Sequence, residues 1–326
     1  MISCNFSGNY KFMRRLVVLS FLFSSACLGQ KSFNVKIENH SDWNFTVQLR
    51  PDPANQPSEY KAATKLFVIS DVEGEFEAFR NLLIANKVID QQYRWLYGNG
   101  HLVICGDLFD RGNYVTEYLW LLYKLEEEAK SKGGYVHVLL GNHDIMNLSG
   151  DYRYVQPKYF EEARQKGIEY QSWYSDSTIL GKWLRSKNII EKTGDYIFLH
   201  AGVSAGVNAT EKNISAINDI VRPFYDKSTN LPDSMKLYFL ENSPFWYRGY
   251  FMEPRASVAQ VDSTLQQFNA KKIIVGHTIV DSVLVLYDGK VIGIDVNQHE
   301  GNNKALLIEN DQFYQVDATG AKKRIL

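Results

Sequence analysis

Five short apolar runs, each followed by a cluster of polar residues, constrain this sequence more than any other feature. The runs are rich in Val, Ile, Leu and Phe, which is typical of strands buried on both faces of a sheet. They read KLFVIS (65–70), HLVICG (101–106), YVHVLLG (135–141), YIFLHAG (196–202) and KKIIVGH (271–277). Segments with apolar residues at three-and-four spacing, at 75–89 and 114–130, indicate amphipathic helices between the first three runs. The pattern predicts a layered α/β fold.

The polar clusters contain the residue types that bind metal ions. Ligands of α/β sheets bind beyond the carboxyl ends of the strands, so we expect the five clusters to meet in one crevice. A single cluster of this kind is equally typical of a turn or a helix cap, but five in one chain indicate a shared site. The clusters are Asp71-Val72-Glu73-Gly74, Gly106-Asp107-Leu108-Phe109-Asp110-Arg111-Gly112, Gly141-Asn142-His143-Asp144, His200-Ala201-Gly202 and Gly276-His277-Thr278.

The first 30 residues have the layout of a secretory signal peptide. Within Met13–Gln30, two arginines precede an apolar run from Leu16 to Phe23, and small residues follow. The run is shorter than the roughly 20 residues of a membrane span. Cleavage near Gly29 predicts an exported protein that is periplasmic or secreted. Cleavage before Cys27 predicts a lipoprotein anchored to the membrane.

We divide the chain into a signal peptide at 1–30, an amino-terminal extension and linker at 31–64, and a main domain at 65–326. The linker is indicated by PDPANQP at 51–57, which has three prolines in seven residues.

Within the main domain, 145–195 and 207–265 are interpreted as mainly helical insertions with loops. The carboxy-terminal part is predicted to form two hairpins, at 282–296 and 305–317, because Asp288-Gly289 is a strong two-residue turn signal.

The composition argues against a nucleic-acid partner attracted by net charge, and it identifies no other partner. Lys and Arg number 36 against 37 Asp and Glu, which gives a net charge of -1 and no basic field for a nucleic acid. Three cysteines are too few for a disulfide framework, and we interpret Cys105 as a buried thiol. The oligomeric state leaves no mark in the sequence.

The chain resembles the calcineurin-like metallophosphoesterases, and within them the branch of the serine/threonine protein phosphatases. GDLFDRG (106–112) and GNHD (141–144) carry the resemblance, which covers about residues 65–318. The chain departs from the family at Asp71-Val72-Glu73-Gly74, where relatives have Asp-x-His-Gly. It also lacks the second histidine of many relatives in Gly276-His277-Thr278-Ile279, which favours the protein-phosphatase branch. The resemblance implies a four-layer α/β/β/α sandwich with helical insertions and two bound metal ions.

The resemblance also implies a set of metal ligands. Asp71, Glu73 and Asp107 would bind one ion, and Asp107, Asn142, His200 and His277 the other, so that Asp107 bridges. Carboxylate and amide oxygens with imidazoles suit divalent cations, and we favour Mn²⁺ over Fe, Zn²⁺ or Mg²⁺. Glu73 has two interpretations: it hardens its site toward Mn²⁺ or Mg²⁺, or it turns to an arginine and leaves that metal weakly held.

In the family pattern His143 donates a proton to the leaving oxygen and Asp110 holds its imidazole. Arg111 would bind the phosphate, since its planar guanidinium matches phosphate geometry. We choose Arg248 as a second phosphate-binding arginine on local resemblance alone. The alternative is a surface arginine packed over Trp246-Tyr247.

Three further features carry less information. Asp144 is predicted to cap the helix after GNHD. His299 either borders the crevice or is an exposed loop histidine. The aromatic residues of 145–195 either line a groove for a phosphotyrosine ring or a nucleobase, or pack an insertion.

The leading hypothesis is an exported phosphatase that hydrolyses phosphomonoesters, such as phosphoprotein at Ser, Thr or Tyr, by in-line attack of a dimetal-bound hydroxide. A phosphorylated small molecule is the other substrate class considered. One alternative is a phosphodiesterase acting on nucleotides or lipids with the same core. Another is a silent binding module that lost a metal through the change to Glu73, which the intact His143, Asp110 and Arg111 argue against.

Overall fold

This computed structural model describes residues 31–326 of the chain. They contain fourteen strands and nine α-helices. The predicted signal peptide therefore lies outside the described residues. The strands are β1 (Ser32–Val35), β2 (Phe45–Gln48), β3 (Glu59–Tyr60), β4 (Lys65–Ile69), β5 (His101–Cys105), β6 (Tyr135–Leu139), β7 (Ile190–Thr193), β8 (Tyr196–Leu199), β9 (Lys272–Val275), β10 (Leu284–Leu286), β11 (Val291–Gly293), β12 (Lys304–Glu309), β13 (Gln312–Asp317) and β14 (Lys322–Arg324). The helices are α1 (Phe76–Ala85), α2 (Val115–Ser131), α3 (Asn142–Leu148), α4 (Pro157–Gln165), α5 (Ile179–Arg185), α6 (Ala205–Asn208), α7 (Ile214–Val221), α8 (Asp233–Phe239) and α9 (Val258–Gln267).

Two six-stranded sheets form the centre of the protein. Their strand orders are β14-β13-β12-β4-β5-β6 and β10-β11-β9-β8-β7-β3. In the first sheet β4, β5 and β6 run parallel, and in the second β8, β9 and β11 do so. The loops that follow the parallel strands of one sheet therefore emerge at one edge.

Alternating side chains divide the core into layers. Leu66 and Val68 of β4 are buried together with Phe198 of β8, between the two sheets. Phe67 and Ile69, which point the other way, belong to the core that the sheets form with the helices. Because successive side chains of a strand point to opposite faces, this division shows a sheet-on-sheet packing with helices outside. The predicted four-layer sandwich with helical insertions is confirmed.

The sequence patterns correspond closely to the observed elements. All five apolar runs form strands, namely β4, β5, β6, β8 and β9, and the two predicted amphipathic helices are α1 and α2. Both predicted carboxy-terminal hairpins are present as β10–β11 and β12–β13. A difference occurs at β7, a strand inside the segment 145–195 that was interpreted as mainly helical. Its Glu191 is buried and lies 2.7 Å from His137 Nδ1, so a charged residue occupies a position where the pattern expects an apolar one.

The extension at 31–64 packs against the main body. Strands β1 and β2 form a separate antiparallel hairpin, and β3 pairs with β7 at the edge of the second sheet. Arg50 pairs with Glu126 of α2 at 3.1 Å, and its backbone N–H donates to the hydroxyl of Tyr123 at 2.9 Å. The division of the chain at residue 64 stays a prediction.

Within residues 31–326, none of the helices combines the length and the apolar character that crossing a membrane requires.

Candidate metal centre and active site

The five polar clusters meet in one crevice where strands of both sheets end. The crevice has a volume of about 370 Å³. Asp110 and His200 lie behind its wall, and the other predicted site residues line it. Those lining residues are Asp71, Glu73, Asp107, Arg111, Asn142, His143, Arg248 and His277. The structure thus brings together all ten residues chosen from the sequence.

The backbone at these strand ends has positive φ angles, a strained conformation that few residue types other than glycine tolerate. Asp71, Asp107 and His277 have φ angles of 52°, 54° and 64°, in the left-handed region that side chains with a Cβ rarely adopt. Each follows a strand and so turns the chain sharply while its side chain faces the crevice. Such strain persists only where the surroundings fix it, and it is concentrated at functional sites.

One group of ligand atoms is centred on His200. Its Nε2 lies 2.8 Å from Asn142 Oδ1, 3.1 Å from His277 Nδ1 and 3.3 Å from Asp107 Oδ2. An amide oxygen, a carboxylate oxygen and two imidazole nitrogens therefore converge on one point, as in a site for a divalent transition metal. Asp107, His200 and His277 form one of the two groups of possible metal ligands found within residues 31–326.

Backbone carbonyls orient both imidazoles of this group. His200 Nδ1 lies 2.9 Å from the carbonyl oxygen of Cys105, and His277 Nε2 lies 3.2 Å from that of Trp246. A carbonyl oxygen only accepts, so in the neutral ring the proton sits on the nitrogen facing it. The other nitrogen, Nε2 of His200 and Nδ1 of His277, then turns its lone pair toward the shared point. Outer hydrogen bonds of this kind are typical of metal-ligating histidines.

A second group surrounds Glu73. Glu73 Oε1 and Asp107 Oδ2 each lie 3.9 Å from His143 Nε2, and these three residues form the other possible ligand group. Asp71, which the sequence assigns to the same ion as Glu73, belongs to neither group found within residues 31–326; it lines the same crevice, and its Oδ2 accepts the backbone N–H of His277 at 3.1 Å. Asp107 belongs to both groups, as the sequence predicts for a bridging ligand.

Glu73 turns to an arginine, as the second of its two interpretations describes. Its buried carboxylate belongs to the second group and forms an ion pair with Arg111. Its other oxygen, Oε2, is buried, has no hydrogen-bond partner among residues 31–326 and lies 3.3 Å from His299 Nδ1. An unpartnered buried carboxylate oxygen is costly unless it has a ligand to bind. The residues present therefore fit a metal at the second group as well as at the first.

The imidazole of His143 is held between a buried carboxylate and the crevice. Its Nδ1 lies 2.6 Å from Asp110 Oδ2, and its Nε2 faces the crevice. Burial would lower the pKa of His143, but the carboxylates of Asp107 and Asp110 outweigh burial and raise this pKa. Burial would raise the pKa of Asp107, yet the imidazoles of His200 and His143 hold it below its ordinary value. Asp107 and His143 thus each favour the charged form of the other.

Two arginines border the crevice on different sides. Arg111 stacks its guanidinium over the ring of Tyr154, with 5.2 Å between the guanidinium carbon and the ring centre. Arg248 donates from Nη1 to the carbonyl oxygen of His277 at 2.9 Å, so its guanidinium is fixed beside the first ligand group. Both side chains line the crevice.

Sequence reasoning missed Asp295 and left His299 open. Asp295 is buried and lines the crevice, and after burial it is the main cause that raises the pKa of Asp71. The signal was available, because GKVIGIDV is another apolar run that ends in an acidic residue. His299 borders the crevice beside Glu73, which agrees with the first of its two interpretations.

Asp144 does more than cap a helix. It forms the predicted cap of α3 by accepting the backbone N–H of Gly141 at 2.6 Å. Its carboxylate also accepts the N–H groups of Asp107, Leu108 and Phe109, at 3.1, 2.8 and 3.2 Å. One buried carboxylate therefore ties the loop after β5 to the loop after β6.

Comparisons with known proteins agree with this geometry. The family model described as calcineurin-like phosphoesterase matches residues 64–281. Shewanella-like protein phosphatase 2 of Arabidopsis thaliana is 26% identical and covers 78% of this chain and 78% of its own. An uncharacterised protein of Schizosaccharomyces pombe is 26% identical over 93% of this chain and 95% of its own. The crystal structure of a cold-active protein-tyrosine phosphatase of a psychrophilic Shewanella species is 34% identical. It covers 92% of this chain and 97% of its own, with a TM-score of 0.81.

We predict that Asp144→Asn lowers the free energy of unfolding by about 2–4 kcal/mol, since an amide cannot accept all four N–H groups and leaves buried donors unpaired. Urea denaturation followed by tryptophan fluorescence measures the change. The same substitution at Asp233, whose side chain is 93% exposed, is the matched control and should leave the midpoint unchanged. A decrease in the free energy of unfolding of less than about 1 kcal/mol in Asp144→Asn would contradict the role of Asp144 in holding the two loops together.

Proposed function

Since the chain belongs to the calcineurin-like phosphoesterase family and is a metal-dependent phosphoester hydrolase, we propose that it is a phosphatase of phosphomonoesters, specifically of phosphotyrosine in proteins. The observation that carries the proposal is the grouping of His143, Arg111 and Arg248 around one crevice. A terminal phosphate with two negative charges matches two guanidinium groups, whereas a diester carries only one charge.

The walls of the crevice favour an aromatic leaving group. Tyr154 is 44% exposed and its ring centre lies 5.0 Å from that of His143. Trp246 also lines the crevice, and its ring centre lies 5.7 Å from that of His277. An aromatic ring beside His143 and a second one in the lining suit a phenyl ring, because aromatic pairs stabilise each other beyond their buried area. The similar Shewanella protein is a protein-tyrosine phosphatase, which supports the same choice.

The residues of the chain have distinct roles in the proposed reaction. Arg111 and Arg248 bind the oxygens of the phosphate and orient it. His143 protonates the leaving phenolate oxygen from Nε2, while Asp110 holds its Nδ1 and stabilises the charged imidazole. When bound, two divalent cations would acidify a water molecule and neutralise the charge of the phosphate.

We propose that two sets of residues, which share Asp107, hold the two cations of the family's two-metal site. Asp107, Asn142, His200 and His277 would hold one, and Asp71, Glu73 and Asp107 the other. Mn²⁺ is the proposed ion, since Glu73 supplies an oxygen where relatives have an imidazole nitrogen, and oxygen ligands favour harder cations over Zn²⁺.

The activity is tested with p-nitrophenyl phosphate and a phosphotyrosine peptide, using metal-stripped protein with Mn²⁺, Mg²⁺, Zn²⁺ or Fe²⁺ restored. We expect turnover that requires metal and is abolished in Asp107→Asn. His143→Asn should lower kcat on the peptide by about 10²- to 10⁴-fold. Its effect on p-nitrophenyl phosphate should be smaller, because the more acidic phenol needs less protonation to leave. A purely structural role of His143 would lower both rates equally.

His40→Asn, in the extension, is the control for these substitutions. Faster hydrolysis of bis(p-nitrophenyl) phosphate than of the monoester would favour a diesterase. A folded protein that hydrolyses neither ester with any metal would favour the silent binding module.

The metal proposal predicts the effect of Glu73→His. An imidazole nitrogen in place of the carboxylate should shift preference from Mn²⁺ toward Zn²⁺ by about tenfold in relative affinity, since nitrogen is the softer ligand. Isothermal titration calorimetry measures both affinities and the number of ions bound. Glu75→His, two residues along the same loop and outside both ligand groups, is the matched control. An unchanged Mn²⁺ to Zn²⁺ ratio would show that Glu73 does not ligate.

We also propose that residues 1–30 direct export, so that the protein acts in the periplasm, outside the cell or on the membrane as a lipoprotein. Expression of the full chain, followed by fractionation and amino-terminal sequencing, tests this. A mature chain starting near Gln30 indicates ordinary export, and one starting at a lipid-modified Cys27 indicates a lipoprotein. An uncleaved chain confined to the cytoplasm would contradict export.

A further inference from the structure

A second and larger groove opens beside the crevice. It has a volume of about 680 Å³ and lies between α3, the end of α8 and the loop 241–254. The linings of the groove and the crevice share Asn142, Trp246, Arg248 and Met252, so the two spaces adjoin. A substrate whose phosphate occupies the crevice therefore has this groove directly beside it.

The lining of this space is mainly apolar, and we call it the apolar groove. Ile145, Met146, Phe239 and Tyr247 are buried side chains that line it. Leu240 lines it too but is 49% exposed, and Met252, at the junction with the crevice, is 53% exposed. Large apolar side chains left exposed at the edge of a concave surface are typical of a binding site.

The charges of the groove disfavour a second phosphate. Glu241 and Glu253 line it, and Arg153 is held by Asp151, with 2.8 Å between Nη2 and Oδ2. A polyphosphate chain leaving the crevice would meet two carboxylates and a cation that is already paired. Like charges repel, so a nucleotide with several phosphates is a poor match for a groove lined by Glu241, Glu253 and Asp151.

The polar groups of the groove favour a polypeptide over an acyl chain. Ser228, Thr229 and Asn242 lie among the apolar side chains of the lining. Their hydroxyl and amide groups offer donors and acceptors to a peptide backbone, whereas a lipid chain would leave them unpaired and desolvated.

We propose that the apolar groove binds the polypeptide next to the phosphorylated residue and accepts a large apolar side chain of the substrate. The groove thus gives the phosphatase a preference for phosphotyrosine sites flanked by residues such as leucine. This inference rests on the proposed function for the identity of the phosphorylated residue.

The test compares phosphotyrosine peptides that carry leucine or glycine at the three positions on either side of the phosphotyrosine. We expect kcat/KM to be at least about tenfold higher with leucine on one side, because burial of its side chain stabilises the complex. Leu240→Asp should reduce this preference to less than about threefold. Each peptide value is divided by the value for p-nitrophenyl phosphate, which is too small to reach the groove. Leu96→Asp is the matched control, since Leu96 is 55% exposed and lies outside the groove.

A binding measurement separates failure of this inference from failure of the proposed function. The same peptides are made with a non-hydrolysable phosphonate in place of the phosphate and labelled for fluorescence anisotropy. If the phosphonate peptides with leucine bind more tightly than those with glycine, and Leu240→Asp removes this difference, the groove proposal is supported even if no ester is hydrolysed. If p-nitrophenyl phosphate is hydrolysed but neither the rate nor the affinity for the peptides depends on leucine, the groove proposal alone is overturned. Faster hydrolysis of dispersed dioctanoyl phosphatidic acid than of any peptide, slowed by Leu240→Asp, would overturn the choice of a polypeptide.

Discussion

The position of Asp107 is the constraint on which the whole candidate site depends. Its carboxylate is part of both ligand groups, and its Oδ1 accepts the backbone N–H of His143 at 2.9 Å. Its backbone carbonyl accepts the N–H of Glu73 at 3.0 Å, and its own N–H is held by Asp144. The loops after β4, β5 and β6 are therefore aligned on one residue. A Cβ at Gly141 would overlap this carboxylate, which explains why a glycine precedes Asn142.

Such an arrangement needs a rigid support because its backbone is strained. Asp71, Asp107 and His277 are each held in the left-handed region directly after or close to a buried strand. The strands are fixed by ladder hydrogen bonds and by apolar side chains on both faces, so they resist relaxation of the turns. Among the described residues of α3 and α8, which flank the apolar groove, none has a positive φ. The site thus divides into strand ends with strained turns and flanking helices without them.

The difference between the strand ends and the flanking helices also determines which features could be predicted from the sequence. Strands buried on both faces give apolar runs, and the polar clusters follow directly at their ends, so the fold and the convergence of the ten chosen residues on one crevice could be predicted. Strand β7 could not, because its buried Glu191 is stabilised by His137 of a neighbouring strand, and pairing across 54 residues leaves no local pattern. The ion pair of Arg111 with Glu73 is likewise a contact between two loops. Asp295 was missed for a different reason: its run was interpreted only as half of a hairpin.

Trp246 shows how the crevice and the apolar groove depend on each other. Its carbonyl oxygen orients the imidazole of His277, while the residue lines both spaces. Two residues further on, Arg248 holds the carbonyl oxygen of the same histidine. A change in the backbone of this loop would therefore disturb a candidate metal ligand together with the groove. Among the described residues, Leu240 makes no hydrogen bond to either candidate ligand group, so a substitution there changes the lining of the groove and leaves the candidate ligands in place.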